Sequence, residues 1–226
     1  MSARTVRDAT FDVLRAQGLT TIFGNPGSTE VPFLAGLPDD LRFVLGLHEG
    51  AVVGLATGWA VARREPAFAL LHTTAGLGNA VGALATARVN RAPLVVLVGQ
   101  QDRRHLASEP FLAGRLRGLA GEYPVWADEP VRAADVPGAL ARAAHEAATH
   151  RGPALVVVPM DDWSAPADEE REDAAPARVV RAAAADPAAV DELVRFLEGS
   201  RSPALVVGAG TDDPASWAAL VDLAER

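Results

Sequence analysis

Three side chains in the first third of the sequence have the types and the placing to do proton chemistry: Glu49, His72 and Ser28. Glu49 follows the apolar segment FVLGLH, His72 closes AFALLH, and Ser28 closes the tight loop Asn25-Pro26-Gly27-Ser28. A carboxylate and an imidazole at equivalent strand ends can trade protons with one ligand. In an open α/β sheet the carboxyl ends of parallel strands are where ligands bind. In the loop, Pro fixes one backbone angle and Gly allows a conformation other residues resist, so a side chain there is held still. Each residue alone has a simpler explanation. Glu49 is also a good first-turn acid for a helix dipole, His72 could be a hydrogen-bonded core histidine, and Ser28 an ordinary turn residue.

Other constellations fail on their spacing. Gly76, Gly78 and Gly82 imitate a dinucleotide fingerprint, but Val81 stands where the third Gly belongs. No Walker A sequence occurs, and the histidines at 48, 72, 105, 145 and 150 have no metal-ligand spacing. Ser28 lies in P-G-S-T-E and not in the G-x-S-x-G of a nucleophile elbow. Zero Cys excludes disulfides and thiolate chemistry. A net charge of -8 argues against a nucleic-acid surface. With no apolar run long enough for a bilayer and no secretory signal, the expectation is a soluble, cytoplasmic protein without membrane partners.

The elements that must position these residues alternate along the chain. A helix is predicted over 5–17 with Gly18 after it, then a strand TTIFG, a strand near 42–47, a helix over 49–64, a strand over 67–72, a helix over 77–90 and a strand over 93–99. Residues 102–130 read as irregular with a short helix LAGRLRGLA; an Ala-rich helix from 134 and a strand over 153–159 follow. Continuous apolar strands separated by helices predict an α/β fold, a parallel sheet with helices on both faces. Residues 161–173 hold seven acids and one Arg and read as solvated. The pattern restarts with a helix from 186 to about 198, a strand PALVVG over 203–208 and a final helix. The expected organisation is therefore a domain over 1–165, an acidic and Ala-rich linker over 166–185, and the start of a second α/β unit over 186–226. One strand and two helices cannot close a core, so the chain is expected to be the front portion of something longer.

Taken together, IFGNPGSTEVPFL (22–34), LHEGAVVGLATGWAVA (47–62), LHTTAGLGNAVGAL (71–84), APLVVLVGQQ (92–101) and VVVPMDDW (156–163) resemble the N-terminal, pyrimidine-binding domain of thiamine-diphosphate-dependent 2-oxo acid decarboxylases. The strand-end Glu with its small-residue helix is common to that superfamily, whereas the Asn-Pro-Gly-Ser loop with Leu-His-x-x-Ala-Gly-x-Gly-Asn resembles the benzoylformate decarboxylase branch. The resemblance implies that Glu49 hydrogen-bonds the aminopyrimidine N1′ and promotes deprotonation of the thiazolium C2. A buried, easily protonated carboxyl would help that exchange. It further implies that His72 relays protons and that Ser28 meets the substrate carboxylate. Cofactor contacts are implied for Glu49, Asn25, Pro26, Gly27, Thr73, Gly76 and Asn79. The family's diphosphate and Mg2+ site uses a Gly-Asp-Gly segment that is absent here. No metal ligand is therefore expected in this chain, and the 226 residues alone are expected to carry half a site and no decarboxylase activity. The implied partners are a small 2-oxo acid and a homo-oligomer, a dimer of dimers, or a separate diphosphate-domain chain. Two other readings stay open: a different thiamine-diphosphate enzyme such as a carboligase or an acetolactate-synthase-like protein, and a non-catalytic binding or dimerisation module.

Overall fold

The computed structural model describes residues 4–168 and 184–226. Contacts divide the chain into two compact units, Met1–Arg178 and Val179–Arg226.

The first unit is built on six parallel strands, β1 (Thr21–Asn25), β2 (Arg42–Leu45), β3 (Ala67–His72), β4 (Leu94–Gln100), β5 (Trp126–Asp128) and β6 (Pro153–Pro159), in the order β2-β1-β3-β4-β6-β5. Its helices are α1 (Val6–Ala16), the single turn α2 (Val31–Leu34), α3 (Glu49–Arg63), α4 (Thr73–Val89) and α5 (Val136–His150). Side chains of successive strand residues point to opposite faces, and two cores result. Ile22, Phe68, Leu70, Val95, Leu97, Val156 and Val158 pack with α1 and α5, while Phe23, Ala67, Ala69, Leu71, Val96, Val98 and Val157 pack with α3 and α4. Covered on both faces, β4 and β6 are buried at every position, which is why they are uninterrupted apolar runs. From β1 the chain passes to β2 on one side and then to β3 on the other. The sheet order reverses there, and that reversal opens a crevice at the carboxyl ends of β1 and β3.

Several boundaries differ from expectation. α1 is set by Thr5, whose hydroxyl accepts from the Asp8 backbone N–H while Asp8 accepts from the Thr5 N–H, and Gly18 follows its end with φ of 71°. α4 begins at Thr73 and not at 77, so the glycines at 76 and 78 are helical rather than loop. Within 102–130, the nine-residue helix reduces to a single tight turn at Leu116–Gly118, and Trp126–Asp128 forms a strand against β6 too short to show a period. The expected solvated stretch begins too early: Asp162 and Trp163 are buried, with the Trp163 ring 4.7 Å from that of Phe33. Arg103 spans both Asp162 carboxylate oxygens at 2.7 Å, a two-pronged pair that lets the acid be buried. Most of the expected linker, residues 169–183, lies outside the described residues.

The second unit holds α6 (Pro187–Glu198) and α7 (Pro214–Ala224), each capped by an Asp and opened by a Pro. Neither helix buries a residue. The expected strand at 203–208 is not formed: a strand is defined by its ladder of hydrogen bonds, and this segment has no partner strand among the described residues.

Candidate active site

Asn25 ends β1, His72 ends β3, and Glu49 opens α3 just beyond β2, so the crevice at the sheet's reversal collects them. Glu49 is 8% exposed. The Asn25 amide donates to its Oε1 and the Asn79 amide to its Oε2, both at 3.1 Å. His48 caps the same helix, its Nδ1 accepting the Gly50 N–H at 3.0 Å. Burial is the largest single influence on the Glu49 carboxyl and pushes its pKa up. The backbone N–H of Glu49, the Asn79 and Asn25 amides and nearby His48 together outweigh burial and hold it below the ordinary glutamate value. This corrects the expectation of an easily protonated carboxyl: burial was foreseen, and the two amides were not.

His72 is held differently. Its Nδ1 lies 2.9 Å from Glu30 Oε2 and 3.0 Å from Thr29 Oγ1. The Thr29 hydroxyl gives its one proton to Glu30 Oε1, and the Gly27 N–H donates to Glu30 Oε2 at 2.7 Å. Facing His72, both oxygens can therefore only accept, which places the proton on Nδ1 and leaves Nε2 for exchange with a ligand. Glu30 is 1% exposed and Thr29 fully buried. Sequence reasoning missed both, although an acid directly after a tight turn was a signal to ask where its charge goes.

Glycines allow the close approach. A Cβ on Gly27 would lie 2.5 Å from three atoms of the His72 ring, and one on Gly76 would lie 3.4 Å from His72 Cβ and 3.5 Å from Glu49 Cγ. Gly76 is thus the spacer between the two ionisable groups. Thr73, next to His72, has φ of 36°, is fully buried, and its hydroxyl has no hydrogen-bond partner among the described residues. A β-branched residue in that region is strained, and the Thr73 hydroxyl, like those of Thr10 and Thr149, is closed off from solvent. Pro26 is half-buried beside this cluster. Ser28 is exposed and hydrogen-bonds to neither Glu49 nor His72 among the described residues. The structure therefore brings Glu49, Asn25, Gly27, Gly76, Asn79 and His72 together and leaves Ser28 at the rim of their loop.

Among the described residues, no group of three or more acids or histidines could hold a metal ion, and no helix is long and apolar enough to cross a membrane. Each oxygen of the Glu49 carboxylate accepts one amide and keeps a lone pair free, so the carboxylate can still meet a donor of a planar polar ring.

The chain is 45% identical over 225 residues to benzoylformate decarboxylase of Pseudomonas aeruginosa, covering 99% of this chain and 43% of that protein. It is 29% identical over 222 residues to glyoxylate carboligase of Escherichia coli O157:H7, covering 96% of this chain and 37% of that one. The solved thiamine diphosphate-dependent 4-hydroxybenzoylformate decarboxylase of Rhodococcus jostii RHA1 superposes with a TM-score of 0.87 at 43% identity, over 98% of this chain and 42% of that one. The chain thus spans less than half the length of these relatives. Residues 4–118 match the thiamine pyrophosphate enzyme N-terminal TPP binding domain, and with that match over the sheet reversal and its Glu49 corner, the chain belongs to the thiamine pyrophosphate enzyme family.

Proposed function

We propose that this chain is the pyrimidine-binding portion of a thiamine-diphosphate-dependent carboxy-lyase that converts benzoylformate, or a similar aromatic 2-oxo acid, to an aldehyde and CO2. The observation that carries this reading is Glu49, a buried carboxylate at the sheet's reversal with His72 across Gly76. When bound, thiamine diphosphate supplies the carbon nucleophile that takes up the electrons released by loss of CO2. Glu49 would exchange a proton at the aminopyrimidine, and Thr73, Gly76 and Asn79 of α4 would contribute to holding the ring. His72, its Nδ1 proton held by Glu30 and Thr29, would pass protons through Nε2. Ser28 would orient the substrate carboxylate from the rim without a strong charge that over-stabilises the ground state. The diphosphate and Mg2+ would be held by residues of another domain or partner subunit, in a cytoplasmic homo-oligomer.

The test is benzoylformate turnover with thiamine diphosphate and magnesium, on this chain alone and on a protein of the relatives' full length. Activity in the longer protein only is expected. Activity in the short chain alone would overturn the half-site account, and activity in neither would overturn the substrate. The likeness to glyoxylate carboligase favours a second reading, carbon–carbon bond formation. A condensed hydroxyketone in place of free aldehyde would select it.

A further inference from the structure

Each oxygen of the buried Glu49 carboxylate accepts from an amide, and the two amides come from different parts of the fold. Asn25 reaches Oε1 from the end of β1, and Asn79 reaches Oε2 from the second turn of α4. An amide NH2 can only donate, and a carboxylate can only accept, so two NH2 groups match the ionised form on both sides. A protonated carboxyl still accepts on both oxygens but less strongly, so the two donors favour the ionised form. The other ionisable groups nearby are few. His48 caps the same helix, His72 stands across Gly76 at the end of β3, and Glu30 lies behind His72. The turn of α4 facing Glu49 carries Gly76 and Asn79, and the loop over 25–28 carries no charge.

We infer that Asn25 and Asn79 are positioning residues that clamp Glu49 in its ionised form until the cofactor arrives, so that loading takes up one proton from water. The inference rests on the cofactor reading of Glu49 given above. Its proton balance is simple. An ionised carboxylate and a neutral ring nitrogen share no proton, and the hydrogen bond between them needs one, which the solvent supplies. The lowered pKa of Glu49 agrees with the geometry.

The clamp can be tested without cofactor. In this chain, with labelled glutamate carboxyls and the Glu49 signal assigned from its loss in Glu49→Gln, carbon NMR should show Glu49 titrating below the exposed glutamates. In Asn25→Ala/Asn79→Ala the midpoint should rise by about one unit or more, because burial then meets less opposition. Asn79 is solvent-exposed on a helix, where Ala is well tolerated. If the double variant fails to fold, Asn79→Asp puts a like charge beside Oε2 and should raise the midpoint as well. An unmoved midpoint overturns the clamp. Calorimetry of the full-length protein with thiamine diphosphate and magnesium, in two buffers of different ionisation enthalpy, should give heats reporting one proton taken up. Binding without buffer dependence overturns the proton uptake. No binding at all overturns the cofactor reading and leaves the clamp to the NMR result.

Discussion

Glu49 and His72 occupy matching places, each at the start of a helix that follows a parallel strand, yet they are tuned in opposite ways. Glu49 is an anion met by neutral donors, two amides and the N-terminal end of α3. His72 is a base backed by an acid, with the buried Glu30 and Thr29 fixing one ring nitrogen. Topology gives both residues the same address. What differs is the second layer of side chains, and that layer decides which group keeps its charge and which presents a nitrogen for exchange.

The largest expected effect separates the two corners by reaction step. In the full-length enzyme, Glu49→Gln should slow exchange of the bound cofactor's C2 proton by about 10²–10⁴, the usual worth of a positioned acid–base group. His72→Ala should leave that exchange within a few-fold and slow turnover. Exchange measured by NMR quench and found equal in wild type and Glu49→Gln would break the division of labour.

A smaller effect tests how closely the His72 corner is packed. Gly27→Ala places a methyl 2.5 Å from the imidazole, so the ring or the loop must move. Overpacking of that kind costs about 1–3 kcal/mol, and a lowered thermal midpoint with reduced turnover is expected. Gly78→Ala, on α4 where a Cβ meets nothing within 4 Å, is its control. There helix propensity should raise stability by up to about 1 kcal/mol.

How far the sequence disclosed this site follows from which signals are local. The β4 and β6 strands were legible because burial on both faces leaves only apolar residues. Glu49 and His72 were legible because they interrupt apolar runs where strands end. Glu30 was hidden, since its partner His72 is 42 residues away and only folding makes them neighbours. Trp163 was masked by its acidic surroundings, although a Trp in such a run signals packing. The segment at 203–208 carries the apolar composition of a strand without a partner strand among the described residues. Composition reports burial readily, and long-range polar pairs barely at all.

The smallest expected effect concerns acid stability and sharpens the same contrast. Burial pushes the Glu49 pKa up, but its hydrogen bonds bring it net below the ordinary value. Asp8, through Thr5, Asp40, through Arg15, and Asp102, through Arg104, are also lowered. A group whose folded pKa lies below its unfolded one binds fewer protons when folded, so its stabilisation is complete above the unfolded value and is lost as pH falls through the folded one. Glu129 works the other way, since burial raises its pKa, and its contribution improves on acidification. Among the described residues, four lowered acids against one raised predict a net loss of stability as pH falls below the ordinary carboxylate range. Denaturant midpoints measured from neutral pH downward should show it. Removing the Asn25 and Asn79 amides should flatten the Glu49 share of that slope, because the folded and unfolded pKa values then lie closer together; Glu30→Gln, which alters only the His72 corner, should leave that share in place. A slope unchanged by the double amide variant would mean that the capping and surface pairs, and not the Glu49 corner, set the acid limit.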